Sequence, residues 1–245
     1  MDLFANLFDL TVGKFFLNSF DKIFAITDLE KYWFAKKFSL DKNNISVIPN
    51  GVSKEYLNLR NGELFRRTYN LKEKDFVVLS LSRIHKSKGL DLPIKIAQDF
   101  PKVKFIIAGA DSGYLSELKK LKEDLKANNV SFIGGISDDL KLSALSACDV
   151  FLFPSHYEGF GIVVLEAFSQ RVCVLSSDAG ALSWVVDNSG MLFKDNNLED
   201  LKNKLELLIK NNKLRNKYSK LGYERVKDFT WEKIADKLED EYKRL

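Results

Sequence analysis

Residues 149–177 read DVFLFPSHYEGFGIVVLEAFSQRVCVLSS. The stretch opens on a continuous apolar run, DVFLFP (149–154), turns through a loop rich in glycine, reads as helix over 161–170 and closes on a second apolar run, VCVLSS (172–177). Short apolar runs without alternation are strands buried on both faces, and a helix between two of them is the crossover of a parallel sheet. The same alternation fills the preceding chain: FVVLSL (76–81) before a helix over 89–99, VKFIIAG (103–109) before 113–128, and VSFIG (130–134) before 137–147. A short helix follows 177. The expected fold is therefore α/β, a doubly wound parallel sheet of Rossmann-like type. Ligands of such sheets bind beyond the carboxyl ends of the strands, which directs attention to loops 82–88, 109–112, 134–137, 154–161 and 177–183.

The flanks read differently. Leu198, Leu201, Leu205, Leu208 and Ile209 mark one C-terminal helix, 211–226 a second, and Trp231, Ile234, Leu238, Tyr242 and Leu245 a third. Near the start, Phe4, Leu7, Phe8, Val12, Phe15 and Phe16 recur at helical spacing and predict an amphipathic helix with a strongly apolar face. KIFAI (22–26) reads as a strand, Thr27 and Glu30 have the spacing of a capping box for a helix ending near Phe38, and ISVI (45–48) is strand-like before Pro49-Asn50-Gly51. Residues 1–48 are too few for an independent domain. The expected division is an incomplete α/β segment over 1–50, the Rossmann-like domain over 51–228, and a helix over 229–245 packing back toward the N-terminal segment.

Composition sets limits on function. Of 245 residues, 45% are hydrophobic and 29% charged, which excludes a disordered chain, and no stretch reaches the roughly 20 apolar residues of a membrane span. Lys and Arg number 38 against 34 Asp and Glu, so the net charge of +4 is too mild to require nucleic acid, although it suits anionic ligands or a membrane face. Asp2, Asp9 and Lys14 break the N-terminal apolar residues, unlike a secretory signal, and a cytoplasmic location follows as the default. Cys148 and Cys173 have no CxxC or histidine companion and read as buried structural thiols.

Chemistry concentrates in two loops. Gly159-Phe160-Gly161 opens the helix that carries Glu166, and Glu158 precedes it. Glycines let a phosphate approach the backbone, free amides and the helix dipole favour negative charge there, and a helical carboxylate accepts the hydroxyl bonds of a ribose diol. The loop SRIHKSKG (82–89) leaves the first strand of the same domain, and Arg83 and Lys88, with Lys86 between, can converge on a diphosphate. Cations, amides and carboxylates together suit a nucleotide diphosphate-sugar better than a free nucleotide. Taken singly, each of these residues is an ordinary surface group, and only the shared context gives them meaning. His156 is read equally as a sugar contact or as loop packing, and His85 as solvent-facing; Asp138-Asp139, at a helix start, reads as a cap rather than a metal ligand.

The segment PSHYEGFGIVVLEA (154–167), with seven residues between its glutamates, resembles the signature of glycosyltransferase family 4, of the two-Rossmann-domain GT-B type within the group 1 glycosyl transferases. VIPNGV (47–52), SRIHKSKG (82–89), FIIAG (105–109), VSFIGGIS (130–137), ACDVFLFPS (147–155) and Gly190 occur in the same order as that family's landmarks, so the likeness covers about residues 22–243. The resemblance implies that Arg83 and Lys88 hold the donor diphosphate and stabilise the leaving group, that Glu158 contacts the transferred sugar, and that Glu166 binds the ribose. It also implies backbone amides from Gly159, Phe160, Gly161 and Ile162, and a turn beside the base that includes Gly135 and Ile136. Arg171, Cys173, Ser183 and Ser82 depart from the residues usual in the family.

What the resemblance implies is a retaining transfer from a nucleotide diphosphate-sugar to a sugar or lipid-linked acceptor in glycan, glycolipid or polysaccharide synthesis, with no metal and no cofactor beyond the donor. Family members begin with a complete acceptor-binding domain of which only the end is matched here, so the expected partner is an acceptor-domain chain or a second copy meeting the residue 4–16 face. The same face is read alternatively as a peripheral contact with the inner side of the membrane. The alternative of a different class is a non-catalytic nucleotide-sugar-binding subunit of a split glycosyltransferase, and a sugar epimerase is the distant one.

Overall fold

A computed structural model describes residues 9–245 and divides them into two compact units. One takes the described residues up to Gly51 together with Phe229–Leu245, and the other runs from Val52 to Asp228.

In chain order the first unit holds a π-helical turn over Asp9–Gly13, then α1 (Lys14–Asn18), β1 (Ile23–Ala25), α2 (Asp28–Phe38) and β2 (Ile45–Val47). β1 and β2 pair in parallel, with Ile23 opposite Ile45 and Ala25 opposite Val47. Ala25, Ala35, Phe38, Leu40 and Ile45 form its small core. The capping box is present in modified form: Thr27 Oγ1 accepts from the Glu30 amide at 3.1 Å, while Glu30 Oε2 accepts from Ile26, one residue earlier than the usual partner, at 2.7 Å. The predicted N-terminal amphipathic helix is only partly visible, because Phe4, Leu7 and Phe8 lie outside the described residues. Within them, the backbone is π-helical through Val12 and α-helical only from Lys14, and Phe15 and Phe16 are exposed.

The second unit contains α3 (Glu63–Thr68), β3 (Phe76–Leu81), α4 (Asp91–Ile96), β4 (Val103–Ala108), α5 (Leu115–Asp124), β5 (Val130–Gly134), α6 (Asp138–Ala147) and β6 (Val150–Phe153). It continues with α7 (Ile162–Ser169), β7 (Cys173–Ser177), α8 (Leu182–Val186), β8 (Met191–Phe193), α9 (Leu198–Lys210) and α10 (Asn212–Val226). The last helix, α11 (Trp231–Tyr242), belongs to the first unit, where Glu241 accepts from Ser46 Oγ at 2.6 Å and pairs with Lys22 at 3.3 Å.

All six strands of the second unit are parallel, in the order β5-β4-β3-β6-β7-β8. The sheet is the doubly wound α/β arrangement that the apolar runs predict. One face is filled by Val78, Phe105, Ile107, Val150, Leu152 and Leu175 against Leu92, Ile94, Leu118, Leu201, Leu205 and Leu208 of the covering helices. On the other face α10 lies so close to α7 that a Cβ at Gly222 would fall 2.2 Å from the Phe168 ring. Arg66 of α3 ties the segment before β3 to the sheet by donating to the Ala147, Lys72 and Asp75 carbonyls.

Three details differ from the sequence reading. β8 is an edge strand of three residues, too short to show a periodicity. The helix expected over 89–99 is α-helical only at Asp91–Ile96 and tightens to a 3₁₀ turn over Ala97–Asp99. α3 and the 3₁₀ turn Lys54–Leu57 fill a stretch that carried no clear pattern. Topology then fixes the place for a ligand. After β3 the chain adds strands outward to β5 and returns to β6 on the opposite side, so β3 and β6 flank the switch point and their C-terminal loops, 82–89 and 154–161, open the crevice.

Candidate functional site

The two loops at the switch point are joined by their own backbone. The His156 amide donates to the Ser87 carbonyl at 2.9 Å and Ser155 Oγ to the same oxygen at 3.2 Å. Gly89, with φ of 61°, lies where an added Cβ would sit 2.0 Å from the Pro154 carbonyl oxygen, so only glycine admits this approach. Lys88 Nζ then reaches Glu158 Oε2 at 2.7 Å, with both side chains largely buried. The loop after β7 closes the other side: Gly180, at φ 58°, would place a Cβ 2.4 Å from the Glu158 carbonyl oxygen, which accepts from Ala181 at 3.0 Å.

Gly161, at φ 91°, stands at the N-cap of α7, and no side chain caps the helix. The Val164 amide donates to the Gly161 carbonyl at 2.9 Å, and a first-turn amide that has no such partner can meet an anion in the loop. Gly159 is exposed with open space about its Cα, Ile162 is 41% exposed, and Phe160 is buried with its ring 6.1 Å from that of Trp184. Phe160 therefore offers only backbone to a ligand. Arg83 is exposed in the loop after β3 and forms no ion pair among the described residues. Its loop is held from behind by Ile84, whose amide donates to Ala110 and whose carbonyl accepts from Ser112.

Glu166 is buried on α7, and its Oε1 accepts from Lys141 Nζ at 2.6 Å. Lys141 also pairs with Asp138 at 3.0 Å and stands 5.5 Å from the centre of the Tyr56 ring. Burial alone would lower the Lys141 pKa, but the hydrogen bond and charge of Glu166, aided by Asp138, hold it above the ordinary lysine value. Gly135 and Ile136 lie in the turn after β5, and the preceding Gly134, at φ 72°, gives its carbonyl to the Gly109 amide at 2.8 Å.

Asp138 does other work than the sequence suggested, whereas His156 takes the loop-packing role of its two readings and His85 is exposed as expected. The cap of α6 is Ser137, whose Oγ accepts from Leu140 at 3.4 Å, so Asp138 is released to pair with Lys141. His156 packs through Nδ1 against Asp195 Oδ1 at 2.7 Å, while His85 is exposed and caps the 3₁₀ turn over Lys86–Lys88. Lys141, Tyr56 and Asp195 were not singled out by sequence reasoning. Nothing local in the sequence marks Lys141, Tyr56 or Asp195. Both thiols are free, Cys173 buried and Cys148 half-buried; desolvation pushes Cys173 up to about 12 and raises Cys148 as well, so neither supplies a nucleophile near neutral pH.

The sequence profile of the glycosyl transferases group 1 matches residues 62–225, the span from α3 to the end of α10. This chain belongs to the glycosyl transferases group 1 family. Among its relatives is an uncharacterised glycosyltransferase of Methanocaldococcus jannaschii, 32% identical over 83% of this chain and 55% of the relative. A capsular polysaccharide biosynthesis glycosyltransferase of Staphylococcus aureus, CapM, is 29% identical over 90% of this chain and 60% of its own length. This member of the family thus spans a little over half the length of these relatives. Among solved structures, Anabaena HepE in complex with UDP superposes with a TM-score of 0.90 at 22% identity, covering 99% of this chain and 69% of HepE. That likeness concerns the fold, which is of GT-B type.

Proposed function

We propose that this chain binds a nucleotide diphosphate-sugar at the β3–β6 switch point and takes part in its transfer, with retention of configuration, in the manner of glycosyltransferase family 4. The observation that carries the proposal is the joining of loops 82–89 and 154–161, where the Lys88–Glu158 pair lies beside the uncapped start of α7. In this reading Arg83 and Lys88 bind the diphosphate and stabilise the charge that develops as it leaves, which assigns to protein cations the part a metal plays elsewhere. The amides of Gly159, Phe160, Gly161 and Ile162 add dipoles at the same phosphates. Glu158 faces the transferred sugar, Glu166 accepts from the ribose hydroxyls, and Gly135 and Ile136 border the base. That HepE is solved with UDP and with UDP-glucose supports a nucleotide-sugar donor of this kind.

The acceptor half is proposed to be a further α/β domain that extends the β1–β2 pair, since two parallel strands do not make a stable sheet by themselves. A sugar or lipid-linked acceptor, a cytoplasmic setting and a peripheral membrane contact by the residue 4–16 face belong to the same proposal. No described helix is long and apolar enough to cross a membrane. The second reading is a nucleotide-sugar-binding subunit without turnover of its own. A thermal-shift screen across nucleotide sugars tests the shared claim: a rise in melting temperature with at least one donor is expected, and no rise with any of them overturns it. Transfer assayed with and without an added acceptor domain then separates enzyme from subunit.

A further inference from the structure

Glu166 is held in one orientation by a residue that the donor-site reading does not use. Lys141, the fourth residue of α6, donates to Glu166 Oε1 at 2.6 Å, and its ammonium also meets Asp138 Oδ1 at 3.0 Å. The Lys141 and Glu166 side chains are only 14% and 11% exposed. A carboxylate in so dry a place is costly unless paired, and Lys141 is the only described residue that donates to its oxygens. Glu166 Oε2 accepts from no described residue, so one of the two acceptor oxygens is committed and the other is open.

The surroundings fix the lysine as well. The Tyr56 ring lies 5.5 Å from its ammonium. Tyr56 is positioned by the buried Gln170, whose Nε2 donates to the Tyr56 carbonyl at 2.6 Å while its Oε1 accepts from the Arg60 amide at 2.8 Å. Gln170 follows α7, the helix that bears Glu166, so lysine, tyrosine and glutamate are registered on one framework.

We propose that Lys141 is a positioning residue for the donor: it fixes one oxygen of Glu166, so that the second oxygen meets the vicinal hydroxyls of the ribose. The inference rests on the reading of Glu166 as a ribose ligand. It adds that α6, through Lys141, controls the affinity for the nucleoside part of the donor and leaves the grip on the phosphates unchanged. Removal of the ammonium leaves a buried carboxylate without its partner, free to turn toward solvent, and that turn disorders the hydroxyl contacts.

The test is calorimetric titration of the full chain with UDP, GDP and ADP, followed by the 2′,3′-dideoxy form of whichever binds most tightly. Lys141→Met is expected to weaken the parent diphosphate by about tenfold and Lys141→Arg by less than about threefold, with Lys141→Met/Glu166→Ala no weaker than Glu166→Ala alone. The dideoxy form, which lacks the hydroxyls, is expected to bind wild type and Lys141→Met within about twofold of each other. Thermal melting confirms folding, and Lys141→Gln carries the same comparison if the methionine variant does not fold. Equal weakening of both ligand forms, or unchanged or tighter binding of the parent diphosphate by Lys141→Met while Glu166→Ala is weakened, overturns this inference alone. Wild-type binding by Glu166→Ala, or no binding of any of the three diphosphates to wild type, overturns the donor-site reading together with it.

Discussion

Lys88 and Glu158, separated by 70 residues in sequence, meet at 2.7 Å across the switch point of the sheet. Each comes from a loop at the C-terminal end of a central strand, and each loop is fixed by a glycine packed on the other's backbone or on its neighbour's. In the proposed donor site this ammonium and carboxylate are a preorganised pair that an incoming sugar diphosphate splits, the cation turning to phosphate and the anion to sugar hydroxyls.

The pair therefore predicts a division of effects. Lys88→Ala removes the proposed phosphate contact and is expected to weaken donor binding by about tenfold or more. Glu158→Ala leaves donor affinity within about threefold and lowers transfer in the complete enzyme by about a hundredfold. Titration of donor and steady-state assay of both variants check this, and a Glu158→Ala variant with full turnover contradicts the role given to it.

Gly180 is the hinge on which Glu158 is seated. A methyl group there would meet the Glu158 carbonyl oxygen at 2.4 Å on a backbone with φ of 58°. Gly180→Ala is expected to cost about 1–3 kcal/mol in denaturant unfolding and to reduce donor binding, since it must push Glu158 and the start of α7 aside. An alanine variant as stable and as tight-binding as wild type contradicts the close approach.

The α7–α10 contact makes a prediction about the fold alone. Alanine at Gly222 gains helix propensity but overlaps the Phe168 ring, with the added carbon 2.2 Å from it. Overpacking outweighs propensity, so Gly222→Ala is expected to destabilise by about 1–2 kcal/mol, with recovery when Phe168→Leu is added. A double variant no more stable than Gly222→Ala speaks against this contact.

The thiols set an alkaline limb of stability. Burial raises Cys173 to about 12 in the folded chain from an ordinary value of 9.0, so above pH 9 the unfolded chain gives up a proton that the folded chain retains. The stability is fully present below the unfolded value and declines as pH rises toward the folded one, at up to about 1.4 kcal/mol per pH unit. Cys173→Ala is expected to show a shallower decline between pH 9 and 11 in denaturant unfolding, and an unchanged slope contradicts the burial of this thiol as the cause.

The sequence carried the central sheet because its strands are continuous apolar runs, and Val150–Phe153 and Cys173–Ser177 need no partner to be recognised. Spacing around two loops draws attention to Glu158, Glu166, Arg83 and Lys88, and the structure adds that Lys88 meets Glu158 and that Glu166 meets Lys141. Less was legible where meaning depends on contact. Lys141 looks like a solvated lysine until α6 is packed beside α7, and Asp195 becomes the partner of His156 only when β8 takes its edge position. The N-terminal face was visible as a periodicity, yet the backbone over Asp9–Gly13 is a π-turn, which helical spacing alone does not distinguish.

The most direct test of the central claim is equilibrium titration of a panel of nucleotide diphosphate-sugars against wild type and Arg83→Ala. Arg83 is exposed at the crevice, without an ion pair among the described residues, so its loss leaves the fold intact. At least one donor is expected to bind wild type, and the same donor about tenfold or more weakly when the guanidinium is removed. No binding by wild type across the panel, or equal binding by both chains, would contradict a donor site between the 82–89 and 154–161 loops.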